Sequence, residues 1–224
     1  DVERTTINST FGQYGSPIPS LPTSVTTVRQ RNGQLAHSQT TPLSYNNKRQ
    51  MTQQLLFDGQ SKSLTTDYTY DKYGNPETKR LSANGVVDRN TTNEYDNKGR
   101  FRVLTTDALG QTRTVSYDPR WGKPLSLTKA NGLTTSYQYD AFGRQIQTTP
   151  PEGYQITQVY DWDQNSSYGS TYSHKIIHPG KPDVKTYFDQ LKRRKRVETQ
   201  AFQNETIIES WTHDARGRLK TFRE

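Results

Sequence analysis

Ala130-Asn131-Gly132-Leu133-Thr134-Thr135-Ser136-Tyr137-Gln138-Tyr139-Asp140-Ala141-Phe142-Gly143-Arg144 decides the fold of this 224-residue chain. It reads as turn, strand, turn. Leu133, Thr135, Tyr137 and Tyr139 fall on one face, and Thr134, Ser136 and Gln138 on the other. That strict period of two marks a half-buried strand. The Asn131-Gly132 pair is the strongest short hairpin signal, because both central residues of a tight type I′ turn need positive φ. Asp140-Ala141-Phe142-Gly143 fits a hairpin built on a type I turn. Its Asp side chain caps the turn, and its Gly takes the left-handed position that a side chain disfavours. Arg144 then begins the return strand.

Both turns recur. The second returns as Tyr70-Asp71 with Gly74, Tyr95-Asp96 with Gly99-Arg100, and, one residue longer, Tyr117-Asp118 with Gly122. A late copy, His213-Asp214 with Gly217-Arg218, replaces the aromatic by histidine. Counting weaker copies at Tyr160 and Phe188, the phrases start at 70, 95, 117, 139, 160, 188 and 213, with gaps of 25, 22, 22, 21, 28 and 25 residues. Ala83-Asn84-Gly85, Ala108-Leu109-Gly110, Ala130-Asn131-Gly132 and Pro151-Glu152-Gly153 lie near the midpoints. A fixed period in this range is the signature of a repeat array. Glycines this regular leave strands of about 6–8 residues, and no stretch shows a sustained helical period between caps. The reading is all-β: tandem antiparallel hairpins in one continuous curved sheet.

Residues 1–60 hold divergent or partial repeats, with Pro17, Pro19 and Pro22 crowding one extended stretch and turns expected at Arg31-Asn32-Gly33 and Phe57-Asp58-Gly59. Residues 61–224 hold the tandem repeats, irregular at 162–186, where Asn165 to Ser170 reads as a longer loop. Register returns at Phe188-Asp189, where Lys192 stands in place of the usual glycine. The whole is read as one array. Because both ends cut into the pattern, it is expected to be a fragment of a longer protein.

Composition agrees with an array better than with a thick-cored domain. Leu, Ile, Val and Phe make up 39 of 224 residues, below the ~20% at which disorder becomes a serious reading. The chain nevertheless carries 14 Tyr, 7 Phe and 3 Trp, and disordered segments are poor in aromatics. A repeat buries its face on its neighbours and needs little aliphatic core. With no cysteine, disulfides, thiol catalysis and cysteine metal sites are excluded. The net charge of +8 is spread along the chain and reads as a solvated surface. No apolar run approaches the ~18 residues of a membrane-spanning helix.

The stretch from Ala130 to Arg144, with its alternating copies, resembles the RHS/YD-repeat family. The likeness is good over 64–161, moderate over 187–219 and loose before residue 60. It implies a segment of a hollow shell formed by a spiralling β-ribbon. In bacterial Tc-type and polymorphic toxins such a shell encloses a toxic C-terminal domain; in teneurin-like proteins it belongs to an adhesion receptor. The function implied is therefore structural: a shell segment that encapsulates and delivers toxic cargo. Its partners would be the remaining repeats or a second chain, and the cargo. The protein would be secreted or at the cell surface, and bacterial. The alternative is a surface adhesion module that binds glycans.

Candidate chemistry is sparse. The repeated aspartates Asp71, Asp96, Asp118, Asp140, Asp161 and Asp214 read as turn caps, since paired catalytic acids need two different environments and a repeat supplies one. The Asp118-Pro119 pair resembles the Asp-Pro pairs of family self-cleavage segments but sits inside an ordinary repeat. His174 and His178 are four apart on a strand, some 13 Å at ~3.3 Å per residue, too far for a metal pair. No catalytic, cofactor-binding or metal residues are assigned, and nucleic acid is not the expected ligand. The sharpest charge feature is Lys192-Arg193-Arg194-Lys195-Arg196, a candidate contact for a polyanion or for enclosed cargo.

Overall fold

A computed structural model describes residues 3–11, 21–57, 63–163, 169–201 and 205–223. Pro17, Pro19, the turn expected at Asp58-Gly59 and the loop residues Asn165 to Tyr168 lie outside them. The described residues form strands and turns only. Clustering of contacts divides the chain into two compact units, Asp1–Thr114 and Val115–Glu224.

The first unit runs through β1 (Glu3–Phe11), β2 (Pro22–Arg31), β3 (Gln34–Tyr45), β4 (Met51–Phe57), β5 (Ser63–Tyr70), β6 (Pro76–Ala83), β7 (Val86–Tyr95) and β8 (Arg102–Thr106) into β9 (Thr112–Asp118). The second begins within β9. It continues through β10 (Lys123–Thr128), β11 (Thr134–Tyr139), β12 (Gln145–Thr149), β13 (Ile156–Trp162), β14 (Tyr172–Ile177), β15 (Val184–Phe188), β16 (Arg194–Gln200), β17 (Thr206–His213) and β18 (Leu219–Arg223). Within each unit every strand pairs antiparallel with the next, as in β5–β6 and β11–β12. The fold is all-β, built of tandem antiparallel hairpins.

The period-two reading of β11 holds along its length: Thr135, Tyr137 and Tyr139 are half-buried, while Thr134, Ser136 and Gln138 are exposed. Leu133 departs from it. It ends the preceding turn and is exposed. The register slips by one residue wherever a strand ends on the repeat's aromatic position, between Ser44 and Tyr45, Thr69 and Tyr70, Glu94 and Tyr95, Gln138 and Tyr139, Tyr187 and Phe188, and Thr212 and His213. A type I turn followed by a left-handed residue produces this bulge, which also increases local twist.

There is almost no core in the usual sense. Among the described residues the buried hydrophobic side chains are Val115 and Tyr187. Packing is instead between neighbouring strands. Tyr160 stacks on His174 with centroids 4.5 Å apart, Tyr172 on Phe188 at 5.1 Å, and Trp211 meets Phe222 at 5.3 Å. Cross-strand aromatic pairs of this kind are worth roughly 0.2–1 kcal/mol each over alanine.

Candidate functional site

The repeated turn is the constellation that dominates the chain. In the Asp140 turn the Gly143 N–H donates to the Asp140 carbonyl, and the Asp140 N–H donates to the Arg144 carbonyl. The Asp140 carboxylate closes the loop from inside: Oδ1 accepts the N–H groups of Phe142 and Arg144, and Oδ2 accepts the Arg144 guanidinium at 2.6 Å. Asp189 and Asp214 repeat every one of these bonds with Arg193 and Arg218. Asp96 also holds the Arg100 guanidinium through Oδ2, but its N–H donates to the Phe101 carbonyl and its Oδ1 takes the N–H groups of Arg100 and Phe101. At Asp71 the amide of Asn75 replaces the guanidinium. In the stretched copy Gly122 reaches Asp118 across one more residue, and Arg120 supplies the guanidinium. The arginine after glycine is therefore a clamp on the carboxylate and not the first residue of the return strand, which begins at Gln145.

These bonds fix the ionisation of the carboxyls. Partial burial pushes Asp140 up, but the Arg144 N–H, its guanidinium and the Phe142 N–H together outweigh it and hold the carboxyl below the usual range. Asp71, Asp96 and Asp189 follow the same balance. For Asp118 the Arg120 guanidinium is the leading cause of the lowering, and for Asp214 the Arg218 N–H. A carboxylate held in the charged form by fixed donors suits a structural cap. It is poorly placed to exchange protons near neutral pH.

The turns of successive hairpins are also joined, within each unit. In the first, Gln50 Nε2 donates to the Gly74 carbonyl and Asn75 Nδ2 to the Gly99 carbonyl. In the second, Lys123 Nζ donates to the Gly143 carbonyl. The tyrosine before the Asp makes a second tie, reaching back to the strand that follows the previous turn. Tyr70 Oη donates to the Met51 carbonyl at 2.6 Å, Tyr95 to Pro76 at 3.1 Å and Tyr139 to Pro124 at 2.8 Å. The hydroxyl thus has a role at these three positions, whereas Phe188 holds the same place before Asp189 without one. Tyr139→Phe is expected to cost about 0.5–1.5 kcal/mol, read as a lower denaturant midpoint at unchanged slope. His213 occupies the same position, and its buried Nδ1 finds no partner.

Several sequence expectations are corrected. Asn131-Gly132 and Asn84-Gly85 are not type I′ turns: only their glycines have positive φ, whereas Asn32 and Gly33 both do, at 50° and 78°. The Asn131 segment instead makes the five-residue turn of the Asp family, with Lys129 in the Asp place: Gly132 donates to the Lys129 carbonyl, and Lys129 to Leu133. Asp107 heads another such turn. The turns at Lys129 and Asp107 thus share the backbone of the Asp turns, whereas Asn84-Gly85 is a two-residue connection between the paired Ala83 and Val86. Asp161 is not a cap but a strand residue in β13; Asp163, after Trp162, takes the turn position, its N–H donating to the Thr171 carbonyl.

One copy was missed. Tyr45-Asn46-Asn47-Lys48-Arg49-Gln50 makes the same turn, with Asn46 Oδ1 accepting the N–H groups of Lys48 and Gln50, and Arg49 at φ 65° in the glycine place. Its likeness to Tyr95-Asp96-Asn97-Lys98-Gly99-Arg100 and its spacing of 25 residues from Asp71 were the available signal. Lys192 similarly holds φ 60° in the Asp189 turn. The left-handed conformation costs a side chain about 1–2 kcal/mol, so Lys192→Gly is expected to stabilise by about 1 kcal/mol net of glycine's entropy, seen as a raised melting temperature.

The basic run is dispersed by the turn and strand it enters. Arg193 clamps Asp189 at 2.7 Å, Arg196 pairs with Glu198 at 2.6 Å, and the Arg194 guanidinium lies 5.1 Å from the Trp211 ring. Lys192 is exposed in the turn, and Lys195 is half-buried beside Gly169. His174 is stacked on Tyr160 and bonded to Gln158, with burial lowering its pKa. His178 Nδ1 lies against the Pro179 carbonyl. Among the described residues no group of three or more His, Asp or Glu is placed to hold a metal.

The RHS Repeat family model matches residues 119–156, which span the Asp118 turn, the Lys129 turn and the Asp140 turn. No curated protein matches the chain. Among solved structures it is similar to the crystal structure of TcdB2-TccC3-Cdc42, at 15% identity and a TM-score of 0.64 over 96% of this chain and 12% of that one. It is similar to TcdB2-TccC3 without its hypervariable C-terminal region, at 13% identity and TM-score 0.61 over 89% of this chain and 12% of that one. It is also similar to a Tc holotoxin pore of Photorhabdus luminescens, at 15% identity and TM-score 0.63 over 96% of this chain and 11% of that one. The chain thus spans about an eighth of the solved chains it resembles. Residues 119–156 thus match an RHS repeat, and the chain shares its fold with these Tc toxin structures.

Proposed function

We propose that this chain is a segment of an RHS-repeat shell that encloses and delivers a toxic C-terminal cargo carried by the longer protein. The observation that carries this reading is the shared fold: 96% of the chain superposes on 12% of the TcdB2-TccC3-Cdc42 chain, as one part of a long array would. One related structure is described as lacking a hypervariable C-terminal region, which is where cargo would stand. The segment acts without catalysis. Its capped turns and tyrosine ties hold hairpin to hairpin and keep proteases and solvent from what lies behind them. Its partners are further repeats of the same shell, or a partner chain, and the cargo. It works outside the producing cell, secreted or at the surface of a bacterium. The Lys192–Arg196 run, with two lysines outside the ion pairs, is placed in this reading as a cargo contact.

Sequencing the parent gene beyond Glu224 tests it. Further repeats followed by an unrelated tail are the expected result. Repeats followed by lectin-like or membrane-anchoring modules would overturn the cargo reading in favour of adhesion.

A further inference from the structure

Between the Asp71 and Asp96 turns of the first unit lies a cavity of about 530 Å³, walled by Tyr70, Tyr73 and Tyr95 and by the acids Glu77 and Glu94. With the two turn aspartates its lining carries four acids against a single base, Lys72, in a chain whose net charge is +8. Asp71 and Asp96 are taken up by their own turns. Glu77 and Glu94 are exposed, and neither enters an ion pair among the described residues. The repeat does not require them. Glu77 follows the carbonyl that Tyr95 reaches, and Glu94 precedes Tyr95. The same two places hold Thr52 and Thr69 around the Tyr70 tie, and Leu125 and Gln138 around the Tyr139 tie. Of these three copies, that of Tyr95 alone carries acids.

The aromatic walls are fixed in advance. Tyr70 and Tyr95 are tied through their hydroxyls to the Met51 and Pro76 carbonyls. Tyr73 Oη donates to the Asn97 carbonyl at 2.8 Å, and the Tyr73 ring lies close against Gly99. Walls that are already ordered spare a ligand the cost of ordering them. The Tyr73 ring also seats a cation: Lys72 Nζ lies 4.9 Å from its centroid, inside the ~6 Å over which the ring quadrupole attracts an ammonium. Fixed tyrosines, unpaired carboxylates and a ring that already carries an ammonium match a ligand with a cationic head on an apolar stem.

We propose that this cavity binds an alkylammonium group. The ammonium takes the seat that Lys72 holds over Tyr73, Glu77 and Glu94 are its counter-ions, and its methylenes lie against the tyrosine walls. A lysine side chain of a peptide and a free polyamine both present this chemistry. A divalent metal ion fits less well, since no group of three or more acids or histidines among the described residues is placed to hold one. Non-specific attraction of a cation is opposed by the net charge of the chain, so affinity for one reports a local site. The proposal rests on the cavity and not on cargo containment, so either can fail without the other.

The test is calorimetric titration of the chain at low ionic strength with a lysine-glycine hexapeptide, with spermidine, and with the same peptide carrying glutamine for lysine. One or both cations are expected to saturate a single site, and the tighter of the two identifies the source. The glutamine peptide should bind about tenfold more weakly or worse. Glu77→Gln combined with Glu94→Gln should weaken cation binding about tenfold while leaving the melting temperature at the parent's value, which separates lost recognition from lost folding. Lys72→Ala empties the ring and should strengthen binding about threefold. No saturation by either cation would overturn the proposal. So would a glutamine peptide that binds as tightly as the lysine one, or binding unchanged in the double acid variant.

Discussion

Gly99→Ala is expected to destabilise the first unit by about 2–5 kcal/mol. Two costs add. Gly99 has φ 67°, and holding a side chain in that region costs about 1–2 kcal/mol. A Cβ built there would also lie 2.2 Å from Cδ2 of Tyr73, so the ring must leave its seat. That ring belongs to the preceding turn, and its hydroxyl donates to the Asn97 carbonyl at 2.8 Å. Overpacking of this kind costs about 1–3 kcal/mol. Gly143→Val should behave likewise, since its Cβ would meet Trp121 at 2.8 Å. The control is Gly132→Ala, with φ 77° and nothing within 4 Å: it should lose only the backbone cost. Denaturant midpoints of the variants measure the difference. If Gly99→Ala were no worse than Gly132→Ala, the seating of one turn on the next would carry no energy.

Asp189→Ala should cost about 1–3 kcal/mol, the usual range for leaving buried partners of a charged group unsatisfied. Asp189 is 8% exposed. Its loss strips the acceptor from the N–H groups of Leu191 and Arg193 and from the Arg193 guanidinium. Asp189→Asn should cost less, because an amide oxygen keeps the two N–H bonds, as Asn46 does in capping its own turn through Oδ1. The pH dependence follows from the direction of the shift. The folded carboxyl titrates below its ordinary value, so its contribution is complete above the unfolded pKa of about 3.9 and is lost as pH falls through the folded value. Melting temperature should therefore hold from neutral pH to about 5 and fall below about 4. The gap between the parent and Asp189→Asn should narrow over the same acid range. A gap unchanged at acid pH would mean that Asp189 is not the charged clamp described.

The fold was legible because the signal is local and repeated. Glycine every eleven or so residues, Asp at a fixed distance before it and alternation in between leave few alternatives to a chain of hairpins. The site was legible only in part. That Asp140 caps its turn could be read from the residue types. That Arg144 closes the second carboxylate oxygen could not, because the same residue also suits the start of a strand. The tyrosine hydroxyls reach partners 15 to 19 residues away, beyond any local pattern. The Asn46 turn was hidden because asparagine replaced the acid and Arg49 the glycine at once. Asn131-Gly132 misled for the opposite reason. The pair suits a tight two-residue turn, but Thr128 pairs with Thr134, and that span calls for the longer turn, in which only the glycine is left-handed.

The most direct test of shell containment is protease protection of the parent protein. The longer protein would be digested at neutral pH and again after the repeats have been opened at acid pH, with fragments identified by mass. The expected result is that the repeats and any segment enclosed by them resist at neutral pH and that the enclosed segment is cut once the repeats open. Digestion of that segment at neutral pH, as fast as from an unfolded chain while the repeats stay intact, would contradict containment.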